Sequence, residues 1–419
     1  MASFILKGPS PLLGRVKVSG AKNEALKLIS LTVVIDGEVK IDNVPKILDV
    51  FSQLEIFKFV GGEYKFANSL ILNSEKIRKQ SIVCDKARSL RASIVFLGSL
   101  LSRFGWVEIP FPGGCAIGSR PIDTHLNAFA DLGAEIKKDN DIVSLKLNKI
   151  KAREITLAER SVSATENVLI YLASQPVAVK VKNSAIEPEI MALVDILNQA
   201  GARIIYDGKR GFEVIGSRRL KIDRIEVIPD RIEAGTFLIA FAATGGEGEI
   251  QPFEKNHLQT LIEILDTCGV QMEFDEANKI CRVKRNKRLK PFSIKTGPYP
   301  EFATDLQPPM ALIASKAEGK SQINETMFEN RFGYLNNLGK MGLSYNLVNP
   351  HLVEITGPNR LKAAKVESLD LRAGITILIA ATMAEGESVI SGAEVIDRGY
   401  ESIESKLRRL KVNIRRVND

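Results

Sequence analysis

The sequence is poor in the features of secreted, metal-bound and membrane-spanning proteins. Its 419 residues include four cysteines, Cys84, Cys115, Cys268 and Cys281, and none forms a CxxC pair. That excludes a zinc ribbon and a thioredoxin-type redox pair and points to a reducing compartment. Only one tryptophan is present and aromatic residues make up 6% of the chain, so the core must be built mainly from aliphatic side chains. The longest apolar stretches, such as Ile375 to Ala384, run about ten residues, half of the roughly 20 needed to cross a bilayer. The opening segment, Met1 to Gly8, has no basic start followed by an apolar core, so no signal peptide is expected and the cytoplasm is the expected location. His125, His257 and His351 are too scattered in the chain for a metal site, so neither a metal nor a cofactor is expected. The GxxxxGKS phosphate loop, the GxSxG elbow, the HExxH helix and the dinucleotide GxGxxG are all missing, which leaves kinase-like, serine-hydrolase, zincin and Rossmann readings unsupported.

What is present is an ordinary globular composition, 45% hydrophobic and 26% charged, long enough for two or three domains. The net charge of +8 admits nucleic acid, anionic lipid or small phosphorylated substrates as partners. The densest basic cluster, Lys406 to Lys411 with Arg415 and Arg416, is interleaved with apolar positions. It reads as a solvated helix face leading into a strand, so nucleic acid and membrane insertion are not expected.

One marker recurs six times: an amphipathic stretch ends in a small or apolar residue, then usually glycine, then an alternating strand. Its second residue is Gly61, Gly133, Gly201, Gly269, Gly342 and Lys411, at spacings of 72, 68, 68, 73 and 69 residues. Six α/β units of about 70 residues therefore account for the chain. Glycine at this place lets a helix turn through positive φ into the next strand. A second marker, half a period out of step, puts a glycine before a short strand at Gly37, Gly105, Gly248, Gly319 and Gly386, with Ser174-Gln175-Pro176-Val177 breaking the series in the third unit. The helices before it, such as Gly235 to Ala243 and Ile375 to Ala384, are apolar on nearly every side and belong inside a domain. Two sets of three units, divided near Ile228-Pro229-Asp230, are expected, with a ligand site in the cleft between them.

Phe111 to Asp123 is a shaped loop with three glycines and two prolines around Cys115 and Arg120. It reads either as a mobile anion-binding loop with a reactive thiol or as a plain turn around a buried small thiol. Lys22 stands at the head of the first apolar helix, where it and backbone amides could hold a phosphate or carboxylate, or where it is simply exposed. Basic residues recur at the heads of other internal helices, at Arg88 and Arg91, Arg231 and Arg372, so several cations would converge where helix ends meet. Asp305, Asp370 and the pair Glu187 and Glu189 suit acid/base work, although each singly is the usual cap or salt-bridge partner. Arg331 and Arg398 follow short strands at unit junctions, and His125 is expected to hydrogen-bond locally.

Taken together, Ser19 to Asn23, Asn43 to Lys46, Arg91 to Ser93, Gly113 to Asp123 with His125, Glu187 to Glu189, Pro229 to Glu233, Thr304-Asp305, Glu329 to Arg331, Asp370 to Arg372 and Asp397 to Tyr400 resemble the UDP-N-acetylglucosamine 1-carboxyvinyltransferases, a family of bacterial enolpyruvyl transferases. The match runs in order along essentially the whole chain. The resemblance implies an inside-out α/β barrel of two domains, residues 22–229 with the cysteine loop and residues 1–21 with 230–419, each of three repeats around buried helices. It implies transfer of the enolpyruvyl group of phosphoenolpyruvate to the 3′-hydroxyl of UDP-N-acetylglucosamine with release of phosphate, the first committed step of peptidoglycan synthesis. By resemblance Lys22, Asn23, Arg120 and Arg398 grip phosphoenolpyruvate with Arg331 and Arg372 nearby. Cys115 is a general acid or a transient covalent thiol, and Asp305 takes the hydroxyl proton. The nucleotide sugar is lined by Asn23, Arg91, Arg120, Pro121, Ile122, Asp123, Thr124, Ser161, Val162, Ser163, Asp305 and Met327.

Three positions depart from the usual pattern: Glu24 replaces a small residue, and Ser163 and Met327 replace a glycine and a β-branched residue. They bear on nucleotide-sugar binding more than on chemistry. A cysteine in the loop, where some relatives have aspartate, implies inactivation by fosfomycin. The competing readings are the sister enzyme acting on shikimate 3-phosphate, a non-catalytic nucleotide-sugar sensor and a basic RNA-binding repeat protein. The oligomeric state is left open.

Overall fold

The computed structural model describes residues 2–113, 118, 120–286 and 288–418. The chain divides into two compact units, a middle unit of residues 20–115 and 120–228 and a split unit of residues 1–19, 116–119 and 229–419. Each has its own apolar core. Three apolar helices occupy the interior of the middle unit, α1 (Lys22–Leu31), α2 (Phe96–Phe104) and α3 (Val162–Ala173). Three more occupy the split unit, α4 (Arg231–Thr244), α5 (Gln307–Lys316) and α6 (Leu371–Met383). Three of their hydroxyls bond back to their own helix: Thr236 donates to the Ile232 carbonyl at 2.7 Å, Thr376 to Arg372 and Thr382 to Ile379 at 2.7 Å each. A hydroxyl that bonds back to its own helix can be buried without the penalty of an unpaired donor. No described helix is long and apolar enough to cross a membrane.

Among the described residues the two units also hold six sheets, five of four strands and one of three. The four-stranded sheets share one plan, seen in Ser293–Lys295, Gly319–Asn324, Leu352–Gly357 and Tyr345–Asn349. The first pairs parallel with the second across α5, and the other pairings are antiparallel. A parallel pair needs a crossover, and the buried helix supplies it. In the three-stranded sheet of Trp106–Pro110, Ile142–Lys146 and Glu135–Asp139 the parallel edge shrinks to a single bridge between Ser81 and Glu108.

Two sheets take an edge from far along the chain. Leu13–Lys17 is the parallel edge beside Glu247–Gln251, and Arg224–Glu226 the parallel edge beside Glu38–Asp42. The first strand, Ala2–Gly8, lies antiparallel between Gly386–Ser391 and Asn413–Asn418, with Phe4 opposite both Ile390 and Arg416. The chain's beginning thus completes its last repeat. The basic C-terminal cluster is a helix, Ile403–Arg409, running into that last strand.

The first marker behaves as expected at all six places, with φ of 105, 103, 113, 88 and 97° at Gly61, Gly133, Gly201, Gly269 and Gly342, and 67° at Lys411. The second marker needs a correction at Gly248. The positive φ there belongs to Gly245, at 67°, whereas Gly248 sits inside its strand because a Cβ would lie 1.9 Å from the Gly14 carbonyl oxygen. A lysine in left-handed backbone costs about 1 kcal/mol. Lys411→Gly is therefore expected to raise the unfolding temperature. Gly61→Ala, which adds a Cβ 2.6 Å from the Lys76 carbonyl oxygen at φ 105°, should lower it. Thermal denaturation of the two variants checks both signs.

Candidate active site

In the split unit, the head of α6 gathers a buried ionic cluster. Asp370 caps the helix by accepting the Arg372 and Ala373 N–H groups at 2.8 and 3.1 Å, and this places Arg372 at its first turn. The Arg372 guanidinium reaches Asp305 Oδ2 at 3.1 Å and donates to the Tyr400 hydroxyl at 3.0 Å. Arg331 takes the other Asp305 oxygen at 2.8 Å, donates to the Thr304 carbonyl at 3.3 and 3.4 Å, and approaches Asp370 at 3.8 Å. The Arg331 and Arg372 side chains are 2% and 7% exposed. Burial alone would pull the Arg372 pKa down, but Tyr400, Asp305 and Asp230 outweigh it and hold the group firmly charged. Burial pushes the Tyr400 hydroxyl up, which keeps it a donor and acceptor rather than an anion.

Glu325 braces the strand end beside this cluster. Fully buried, it accepts the Thr296 and Thr304 hydroxyls at 3.0 and 2.8 Å and the Met327 and Phe328 N–H groups at 2.8 and 3.2 Å. It thereby fixes both the turn ahead of Asp305 and the backbone of Met327, whose side chain is exposed. Arg398 is exposed in a turn of the same unit, next to Asp397, which is paired with Arg416 at 2.5 Å.

In the middle unit, Lys22 is the first residue of α1 and its ammonium meets the buried Asp49 carboxylate at 2.5 Å. Asn23 follows it, half-buried, and Arg120 is half-buried as well. Arg91 donates to the Pro121 carbonyl at 3.3 Å. Ile122 is buried at the head of the helix Asp123–Leu132, Thr124 donates to Glu159 at 2.9 Å, and Asp123 is exposed. Ser161 caps α3, putting Val162 and Ser163 on its first turn.

His125 ties these segments together, through partners far along the sequence rather than the local ones expected. Asn167 gives one N–H to the Ile94 carbonyl at 2.9 Å and accepts the Gly98 N–H at 2.7 Å, so its other N–H donates to His125 Nδ1 at 2.9 Å. His125 Nε2 then donates to Ser163 at 2.9 Å. Burial, aided by Arg91, pushes the imidazole pKa down to about 3, so the ring is neutral across the physiological range.

The two units thus bring together two sets of the expected residues. Asp305, Arg331 and Arg372 converge in one, and Arg91, Pro121, Ile122, Thr124 and Ser163 are linked in the other. Cys115 lies outside the described residues. Asp370 is a cap, and Glu187 precedes the helix Pro188–Gln199 while Glu189 lies buried on its first turn. Arg88 pairs with Asp141 at the surface, and Arg231 lies over the Tyr299 ring. Sequence reasoning missed Asp49, Asn167, Glu325 and Tyr400. Only Tyr400 carried a signal, its place two residues after Arg398 in a recognised motif. Among the described residues no group of His, Cys, Asp and Glu side chains is placed to hold a metal ion.

A family model described as EPSP synthase (3-phosphoshikimate 1-carboxyvinyltransferase) matches residues 6–407. The chain belongs to the EPSP synthase family. Within that family, it is 38% identical over 420 residues to UDP-N-acetylglucosamine 1-carboxyvinyltransferase 2 of Carboxydothermus hydrogenoformans, covering all of both chains. It is likewise 38% identical over 418 residues to UDP-N-acetylglucosamine 1-carboxyvinyltransferase of Halothermothrix orenii, again covering both chains fully. Among solved structures, the enolpyruvyl transferase NikO from Streptomyces tendae shares the fold with a TM-score of 0.89 at 21% identity, over 100% of this chain and 99% of that one. EPSP synthase from Acinetobacter baumannii shares it with a TM-score of 0.78 at 17% identity, over the whole of both.

The neutral, buried His125 sets an acid limb on stability. Unfolded, the imidazole takes up a proton below its ordinary 6.5, and folded it does so only near 3. The unfolded state therefore binds more protons in this window, and stability is present above 6.5 and lost as pH falls toward 3, by up to about 1.4 kcal/mol per pH unit. Proton NMR of the three histidines should show the His125 ring unshifted at pH 5. A midpoint near its ordinary value would contradict the buried network.

Proposed function

We propose that this chain transfers the enolpyruvyl group of phosphoenolpyruvate to the 3′-hydroxyl of UDP-N-acetylglucosamine and releases phosphate, a step in peptidoglycan synthesis. The observation that carries this reading is the full-length identity of 38% to enzymes named for that activity. The Asp305, Arg331 and Arg372 cluster fits it chemically. Phosphoenolpyruvate is a small dianion or trianion, and buried guanidiniums provide fixed positive charge without having to reorganise around it.

Addition forms a bond from the sugar 3′-oxygen to C2 of phosphoenolpyruvate while a proton is delivered to its methylene carbon. Elimination then removes a methyl proton and breaks the C2–phosphate oxygen bond. In this reading Lys22, Asn23, Arg120 and Arg398 hold phosphoenolpyruvate with Arg331 and Arg372. Cys115 supplies the proton to carbon or bonds C2 transiently, and Asp305 accepts the hydroxyl proton. Asp305 has each of its two oxygens on a guanidinium. An incoming carboxylate or phosphate competes for those same donors and frees a carboxylate oxygen to act as base. Arg91 and Pro121 to Thr124, with Ser161 to Ser163 and Met327, line the nucleotide sugar. We also infer that the three sheets of each unit form an inside-out α/β barrel around its buried helices, and that residues 22–229 and residues 1–21 with 230–419 act as the two domains. The cytoplasm is the location we propose.

The test is phosphate release from phosphoenolpyruvate with UDP-N-acetylglucosamine or shikimate 3-phosphate as acceptor. Release with the nucleotide sugar alone is expected. Release only with shikimate 3-phosphate would reassign the chain to the sister reaction, and binding without turnover would favour a sensor. Cys115→Ala should abolish turnover, and Asp305→Asn should lower kcat by at least about 100-fold. Fosfomycin should alkylate Cys115, adding its mass to that peptide with loss of turnover. An unmodified peptide and undiminished turnover would refute the target.

A further inference from the structure

The middle unit begins at residue 20 and ends at residue 228, and its two ends are fastened together at the head of α1. The Ala21 N–H donates to the Ile228 carbonyl at 2.7 Å, and the Ile228 N–H donates to Glu24 Oε2 at 2.7 Å. Ala21 and Glu24 stand on either side of Lys22 and Asn23, so the one residue Ile228 is bonded at both flanks of the pair that carries the ammonium. The split unit repeats this device at the head of α4. There Asp230 donates its N–H to the Ser19 carbonyl at 2.9 Å and Glu233 accepts the Ser19 N–H at 2.7 Å. The two fastenings differ in charge. Glu233 is paired with Lys406, which also donates to the Ser19 hydroxyl at 2.7 Å. Glu24 is 1% exposed and its second oxygen has no hydrogen-bond partner among the described residues.

We propose that Glu24 is a positioning residue for Lys22, pinning Ile228 across the first turn of α1 and so fixing where the Lys22 ammonium meets an anionic substrate. This rests on the reading of Lys22 as a phosphoenolpyruvate-binding residue. The side chain buries a carboxyl where a neutral acceptor suffices, because a backbone N–H is its partner. Around it lie Lys27 on α1, which pairs with Glu166 of α3, and Glu189 on the helix Pro188–Gln199, with Glu187 near Glu166. Asp49, from the helix Leu48–Phe59, is engaged with Lys22 itself. Burial pushes the Glu24 carboxyl up to about 8, against the pull of the Ile228 N–H, with Glu189 adding to the rise and Lys27 opposing it. Glu166 is pushed up to about 7 by the same burial. Glu24 is therefore mostly neutral at pH 7, and its ionisation at higher pH puts a buried negative charge, only partly offset by Lys27, under the turn that bears Lys22.

The experiment compares the full-length wild type with Glu24→Gln and Glu24→Ala, reading KM for phosphoenolpyruvate, kcat and unfolding temperature between about pH 6 and pH 9.5. In the wild type, KM should climb above pH 8 while kcat changes less. Glu24→Gln, permanently neutral and still an acceptor, should keep the neutral-pH KM and flatten that climb. Glu24→Ala should raise KM about tenfold throughout, because Lys22 is left misplaced. A wild-type KM in Glu24→Ala, or the same alkaline climb in Glu24→Gln, would overturn the proposal.

Two readouts separate this from failure of the functional reading. A folded carboxyl with raised pKa stabilises fully below its ordinary 4.5 and loses that contribution as pH rises toward 8. This slope in unfolding temperature should be weaker in Glu24→Gln, whatever the acceptor. If neither acceptor supports turnover, the rise in unfolding temperature produced by phosphoenolpyruvate alone decides. A larger rise in wild type and Glu24→Gln than in Glu24→Ala supports the positioning role, and equal rises overturn it.

Discussion

The structure depends on the burial of helices that have no polar face. A helix such as α6, from Leu371 to Met383, cannot rest one side on solvent, so it must be sheathed all round. Three such helices in each unit share that need, and three sheets in each unit meet it. The sides of these helices are then closed to chemistry, and only their ends remain. At an N-terminal end the unpaired N–H groups and the dipole favour anions. That is where Lys22, Arg91, Arg231 and Arg372 stand, and where Asp230, Asp370 and Ser161 act as caps. The same burial that stabilises the fold therefore concentrates charge at a few helix heads.

Charge at such a place has to be held in position. Asp305 is shared between Arg331 and Arg372, which keeps two guanidiniums in register at once. Removing one member of a buried ionic set leaves the others uncompensated, so the cluster is costly to disturb and well suited to one geometry. His125 does comparable work without charge. Neutral and fixed in one tautomer by Asn167, it fastens its own helix to α3 through two hydrogen bonds, and Asn167 carries the link on to Ile94 and Gly98. The family to which the chain belongs supplies the chemistry for which such preorganisation is useful.

Much of this was legible in the sequence because backbone geometry writes itself into glycine. The left-handed turn after each outer helix appears as Gly61, Gly133, Gly201, Gly269 and Gly342, and the sixth obeys the same conformation with lysine. Gly248 shows the limit of that reading, since a glycine demanded by the close approach of Gly14 looks the same as one demanded by φ. Short parallel edges such as Arg224–Glu226 are too brief to carry an alternating pattern, and the partner of this one, Glu38–Asp42, lies far back in the chain. At the site, the arginines and Asp305 could be named because a resemblance gathers them. Glu325, Asp49 and Asn167 could not, for their partners are backbone groups or residues of distant segments. Glu24 was visible only as a departure from pattern, because a glutamate near a helix start ordinarily faces water. Its acceptor role needs the N–H of Ile228, 204 positions later.

The placement of the first strand bears on how the protein comes off the ribosome. Residues 20–228 hold every sheet of the middle unit, so that unit can finish folding while synthesis continues. Ala2–Gly8 precedes that unit in the chain, yet its partners, Gly386–Ser391 and Asn413–Asn418, are made only after it. Until those partners are made the strand is unpaired, and Phe4 and Leu6, buried in the finished fold, are uncovered. An unpaired apolar strand of this kind is a natural handle for chaperones until it docks.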